Sequence, residues 1–232
     1  MILLKQKILG LRTKVFGLDL SDLSLKIAYL KKETGKLVLA SYGRQEIPQG
    51  IIEQGEIKKE DDLIQIIKKA IAEIKGLPLK TKYCVVSLPE AEAFIQLLQL
   101  PKMKKEELNE AIKWEAENHI PLAIEEVYLD WQIIELLNGQ KEEYNDILIG
   151  ALSKKLVDPY LAVLKKAGLQ PLVFEIESLA TTRALIKNDF SSKPVMIIDL
   201  GARRTSFIIF AGRTVHFTAS LPISNTFLIK EI

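Results

Sequence analysis

The chain predicts an α/β fold assembled twice, with the second copy incomplete, and three observations carry that prediction. Strand-like and helix-like runs alternate along 232 residues in the order strand, strand, strand, helix, strand, and the order restarts near Val195. Both copies open alike. VFGLDLSDLSLKIAYL at 15–30 and PVMIIDLGARRTSFIIF at 194–210 each set Asp-Leu-small at the end of an apolar strand. Between them, residues 89–152 have a different texture and read as a small αβ unit spliced into the first copy.

The elements follow in order. Residues 15–20, 24–30 and 37–47 read as successive strands, parted by a DLSD-like turn and an ETGK turn. PQGIIEQGEIK at 48–58 is Gly-rich and polar, so it reads as a loop. Leu63, Ile66, Ile67, Ala70, Ile71 and Ile74 then recur at helical spacing, after the acidic start Glu60-Asp61-Asp62 and before Gly76. Tyr83–Leu88 is a strand ended by Pro89. In the inserted unit, Phe94–Leu100 reads as a strand, PKMKKEELNEAIKWEAENHIP as a helix closed by Pro121, and Val127–Leu137 as a strand. The polar tip NGQKEEYND leads to a further strand at Ile147–Leu152. Asp158-Pro159 then has the form of an N-cap with proline at the first helical position, and Gly168 closes that helix. A short strand near Leu172–Phe174, a helix over 176–188, and strands at 195–200, 205–210 and 213–221 complete the pattern, with Ala211-Gly212 as a hairpin turn.

The predicted organisation is therefore a leader at 1–14, a first domain at 15–88 and 153–190, an insertion at 89–152, and the start of a second domain at 191–232. That second domain has three strands and no helix-and-strand complement. It is expected either to be a C-terminally truncated copy or to have its apolar face covered in another way.

Bulk properties narrow the function. With 48% hydrophobic and 27% charged residues the composition is that of a globular protein. A formal net charge of +2 gives no basic surface of the kind nucleic acid requires, so no nucleic-acid partner is expected. Cys84 is the only cysteine; an internal disulfide is excluded, and the thiol beside Val85 and Val86 reads as structural. The leader MILLKQKILGLRTK is interrupted by Lys5, Lys7, Arg12 and Lys14, which does not fit a signal peptide. It reads as a lead-in to the first strand, with an interfacial segment as the alternative.

Familiar enzyme constellations do not assemble. His119 and His216 stand apart from any metal-ligand spacing. Ser87 and Ser220 occur in Ser-Leu-Pro, without the Gly-x-Ser-x-Gly turn of a hydrolase. Glu106, Glu107, Glu110, Glu115 and Glu117 fall among lysines on a solvated helix face, with Trp114 read as core. The acidic turns are more informative. A tight turn of successive N–H groups cradles phosphate oxygens, and an aspartate beside it suits a hydrated Mg²⁺. Asp also simply favours turns, so a plain hairpin cap remains the competing reading.

On GLDLSDLSLKIAYL (17–30), VVSLP (85–89), LPKMKKEELNEAIKWEAENHIPLAIEEVYLDWQII (100–134), LKKAGLQPLVFEIESLATTRAL (164–185) and IIDLGARRTSFIIFAGRTVHFTASLPI (197–223), the chain resembles the PilM family of type IV pilus assembly proteins, and more distantly FtsA of cell division. The resemblance implies an actin-like (ribonuclease H-like) duplicated fold carrying a small inserted subdomain of SHS2 type, with ATP and Mg²⁺ between two phosphate loops. Asp19, Ser21 and Lys26 fall on the first loop; Asp199, Gly201 and Thr205 fall on the second; Asp19 and Asp199 would hold the metal through water. It further implies a cytoplasmic scaffold, at most a weak ATPase, peripheral to the inner membrane through the N-terminal peptide of a PilN-type partner, with self-association possible. An FtsA-like division protein or another actin-superfamily ATPase or kinase is the alternative. Two positions depart from the family. Ser21 stands where glycine is usual, and Asp22 where a small hydroxyl residue is expected. A carboxylate facing phosphates would repel them, so Asp22→Ser is expected to strengthen nucleotide binding. In the family the segment that grips adenosine lies beyond the position of Ile232.

Overall fold

A computed structural model describes residues 2–3, 14–90, 93–134 and 143–224. The chain divides into two compact units, Met1–Ala91 with Lys155–Glu175, and Glu92–Lys154 with Ile176–Ile232.

The first unit is built on one sheet. Its strands are β1 (Ile2–Leu3), β2 (Phe16–Leu20), β3 (Ser24–Glu33), β4 (Lys36–Glu46), β7 (Lys75–Gly76), β8 (Tyr83–Leu88) and β12 (Gln170–Ile176), and their order is β1-β12-β8-β2-β3-β4-β7. Strand β2 runs parallel to β8 and antiparallel to β3. The ETGK turn forms as expected, with Thr34 and Gly35 both at positive φ. Helix α1 (Glu60–Ala72) starts on three acids that suit its N-terminal dipole and buries Leu63, Ile64, Ile67 and Ala70. Alternating Phe16, Leu18 and Leu20 of β2 and Cys84, Val86 and Leu88 of β8 are likewise buried. Burial pushes the Cys84 thiol up to about 12, as a structural cysteine requires.

The structure corrects the sequence reading at three places here. Residues 48–58 are not all loop: β5 (Ile52–Glu53) and β6 (Glu56–Ile57) pair as a small hairpin whose turn residues Gln54 and Gly55 both lie at positive φ. Helix α3 spans Lys154–Lys166, so Pro159 lies inside it and Asp158 is not its N-cap. Extending the helix one turn backward buries Leu156 and Val157, which outweighs the backbone bond that proline forfeits. The leader's Ile2 and Leu3 pair with Phe174 and Val173; the remainder of the leader up to residue 13 lies outside the described residues.

The second unit holds two three-stranded antiparallel sheets. In one, β9 (Ala93–Pro101), β10 (Val127–Ile134) and β11 (Tyr144–Ser153) are ordered β10-β11-β9. Helix α2 (Lys105–His119) packs Leu108, Ile112 and Ala116 against Leu98, Ile147 and Ile149. Its start is capped by Glu107, whose carboxylate accepts from the Lys104 N–H at 3.2 Å. Trp114, read from sequence as core, is 65% exposed, whereas Trp131 packs against the cluster. Of the tip expected at 138–146, residues 138–142 lie outside the described residues, and Tyr144, Asn145 and Asp146 already belong to β11, which starts three residues earlier than expected. In the other sheet, β13 (Ser191–Leu200), β14 (Thr205–Gly212) and β15 (Thr214–Leu221) run in order, with α4 (Glu177–Leu185) against β14 and β15. The β14–β15 turn is centred on Gly212 and Arg213, one residue later than expected, since Ala211 pairs with Thr214. Ile208, Phe210 and Val215 are buried on one face, while Met196, Ile198, Leu200 and Phe217 stand exposed on the other.

Candidate functional site

The two acidic turns are best compared position by position. Strand β2 ends at Asp19-Leu20, and these residues pair with Lys26 and Leu25 across the turn. Strand β13 ends at Asp199-Leu200, paired with Ser206 and Thr205. Each turn therefore encloses four residues in the same register: Ser21-Asp22-Leu23-Ser24 in the first, Gly201-Ala202-Arg203-Arg204 in the second. The closing bond is the same too. The Ser21 N–H donates to the Ser24 carbonyl at 3.0 Å, and the Gly201 N–H to the Arg204 carbonyl at 2.9 Å. One backbone device has been built twice.

The side chains differ. In the first turn the cross-strand neighbours Asp19 and Lys26 form an ion pair, Nζ to Oδ2, at 2.8 Å, open to solvent on both sides. The Ser21 hydroxyl donates to the Ser24 carbonyl at 3.1 Å and lies 3.0 Å from the Ser24 hydroxyl, so serine supplies an extra closure that glycine would lack. Asp22 corrects the expectation drawn from its charge. Its two oxygens accept from the Gln54 and Gly55 N–H groups, each at 3.0 Å, and the carboxylate is spent on the turn of the β5–β6 hairpin.

In the second turn Gly201 is demanded by the chain itself. A Cβ there would sit 2.6 Å from the Arg204 carbonyl oxygen, closer than any side chain tolerates. Arg204 turns onto the end of β15, its Nε donating to the Ser220 hydroxyl and its Nη2 to the Ser220 carbonyl, both at 2.8 Å. The Thr205 hydroxyl is buried and donates to the Ile223 carbonyl at 2.6 Å. Thr205 thus anchors the chain after β15, and Arg203 is left exposed at the tip.

Asp19 and Asp199 are each a half-buried carboxylate, a donor type that suits a hard, hydrated Mg²⁺. Among the described residues no three His, Cys, Asp or Glu converge on one point. His119 lies 3.7 Å from Glu115 one turn earlier on α2, and His216 lies 3.2 Å from the Ala211 carbonyl.

Sequence reasoning missed Tyr160. Its hydroxyl donates to the Gly55 carbonyl at 2.8 Å from inside α3, and burial, then the Asp22 charge, raise its pKa above the ordinary phenol value. Beside it Lys155 and Lys58 both hold the Glu56 carboxylate, at 2.7 and 2.6 Å, and pull its pKa down to about 2.

A family model described as "Type IV pilus assembly protein PilM" matches residues 17–221. Among solved structures, the chain is similar to one described as the PilM–PilN type IV pilus biogenesis complex, at 25% identity and a TM-score of 0.82, over 96% of this chain and 65% of that one. The chain thus spans a little under two thirds of that relative's length. It also resembles ethanolamine utilization protein EutJ from Carboxydothermus hydrogenoformans (13% identity, TM-score 0.50, covering 91% of this chain and 53% of that one). A further likeness is to the cytoplasmic domain of EpsL, an inner membrane component of the type II secretion system of Vibrio cholerae (12%, TM-score 0.52, 90% and 71%). The last two speak to fold alone. No helix among the described residues is long and apolar enough to cross a membrane. With two identically registered acidic turns on an actin-like α/β frame, and a family match running from the first turn through the second, the chain belongs to the PilM family of type IV pilus assembly proteins.

Proposed function

We propose that this protein is an actin-like scaffold of type IV pilus assembly, peripheral to the inner membrane on its cytoplasmic side, that binds the N-terminal peptide of a PilN-type partner and carries ATP with Mg²⁺ between its two turns. The observation that carries the partner is the likeness to the PilM–PilN complex over nearly the whole of this chain. An extended peptide suits such a role, since main-chain hydrogen bonds give affinity and alternating pockets give choice. In this reading the first actin-like domain is 15–88 with 153–190, the insertion 89–152 is the SHS2-type subdomain, and 191–232 opens the second domain.

The repeated turn supports the nucleotide. Asp19 and Asp199 would orient a hydrated metal, Lys26 would exchange its pairing with Asp19 for a phosphate oxygen, and N–H groups at the tip of each turn, beyond the Ser21 and Gly201 amides that close it, would line the approach. A bound Mg²⁺ would offset the phosphate charge beside these groups; hydrolysis is at most slow. An FtsA-like role or a kinase is the competing reading.

Titrating a fluorescently labelled PilN-type N-terminal peptide tests the scaffold. Saturable binding in the micromolar range is expected, and no signal at several hundred micromolar would remove the role. Separately, ATP turnover should be negligible; a rate abolished by Asp199→Ala would favour the enzyme reading.

A further inference from the structure

The hairpin 52–57 gives Asp22 a purpose. Its turn residues lie at φ +52° for Gln54 and +82° for Gly55, so their successive N–H groups cannot be used within the hairpin and form a small concave donor pair. Such a pair takes an anion, and the anion here is Asp22, both oxygens engaged at 3.0 Å. The opposite side of the turn is held as well, by the Tyr160 hydroxyl on the Gly55 carbonyl at 2.8 Å.

The hairpin is seated as well as gripped. Ile51 and Ile52 at its base are buried, and its turn faces Leu156 and Pro89 at a distance where an added methyl at Gly55 would make ordinary contact. Lys155 of α3 adds a second tether through Glu56 at 2.7 Å. On the loop side, Asp22 follows Ser21, whose N–H closes the turn, and precedes Leu23, whose carbonyl accepts from the Ile47 N–H at 3.0 Å. Asp22 is therefore fixed to its own loop as firmly as to the hairpin. Ala202 takes this place in the second turn and has no group with which to do the same.

We infer that Asp22 is a positioning residue: through the Gln54-Gly55 turn and Tyr160 it clamps the first loop to α3, so that the loop's shape and its hold on a nucleotide phosphate are set from that helix. The inference rests on reading the first loop as a phosphate loop. It reverses the expectation for Asp22→Ser, because one hydroxyl cannot span two amides and the clamp would be lost.

The test uses the whole chain, a fluorescent ATP analogue with Mg²⁺, and backbone amide resonances. Tyr160→Phe is the decisive variant, since its only change is a hydroxyl bonded to Gly55 and not to the loop. Tyr160→Phe and Asp22→Asn are each expected to weaken the analogue about fivefold, with the double variant little worse than either single one. The amides of Ser21 to Ser24 should shift in Tyr160→Phe while the β13–β15 resonances stay put. Unchanged affinity together with unshifted loop amides would overturn the clamp, as would tighter binding by Asp22→Ser. If the unaltered chain binds no analogue, the phosphate reading fails; the clamp then stands or falls on the amide shifts alone.

Discussion

The turn at 19–26 and the turn at 199–206 share register and closing bond, yet they keep their shape by different means. The first is braced from outside: Asp22 reaches the 52–57 hairpin and Lys26 pairs with Asp19. The second is braced from within its own sheet, where Arg204 and Thr205 fasten to residues at and after the end of β15. A duplicated backbone can therefore hold while each copy's side chains are reassigned. Thr205, for example, donates its hydroxyl to the Ile223 carbonyl, a bond that Leu25 at the matching position of the first turn cannot make.

Five variants would break or sharpen that contrast. Gly201→Ala forces a methyl to within 2.6 Å of a backbone oxygen and should cost about 3 kcal/mol, read as a lower urea midpoint. Ser21→Gly, its counterpart, removes only the hydroxyl closures and should cost about 1 kcal/mol. Equal losses would mean the two turns are supported alike. Arg204→Ala deletes two charge-assisted bonds to Ser220, costing about 2 kcal/mol. It should speed hydrogen exchange at the Gly201 amide without touching that of Ser21.

Lys26→Ala breaks an ion pair that is 53% exposed on the lysine side, so stability should fall by less than about 1 kcal/mol. A tenfold loss of ATP-analogue affinity at near-constant stability would show that Lys26 is kept for its ligand; loss of neither would make it a surface pair. The smallest effect concerns the hairpin that braces the first turn. Glu56 has its pKa lowered from 4.5 to about 2 by Lys155 and Lys58, so its contribution is complete above pH 4.5 and is lost as pH falls toward 2. The melting temperature of Glu56→Gln should therefore change less across that window than that of the unaltered chain. Parallel curves would show the contact to be energetically idle.

Local signals carried most of the fold. Period-two alternation found the long strands, and the acidic start and helical spacing found α1, because each records burial on one face. What escaped was decided at a distance. Asp22 and Gln54 are 32 residues apart, and nothing near either announces the other, though Ile52 and Ile57 bracket Gln54-Gly55 symmetrically as a short hairpin would. Asp158-Pro159 has the form of a helix start, but burial of Leu156 and Val157 moved the start back a turn. Trp114 lies two positions from buried Ile112, which on a helix is nearly the opposite face, so spacing already contradicted a core assignment. The candidate loops were visible as a motif. How each of their polar groups is occupied was not, because hydrogen-bond partners are a property of the folded chain.

The two tryptophans have a practical consequence. Trp114, in water on α2, and Trp131, packed against the cluster beneath that helix, both belong to the region of β9–β11, and the chain has no others. Tryptophan emission is thus a local lamp: melting of the β9–β11 sheet and its helix can be followed without any label.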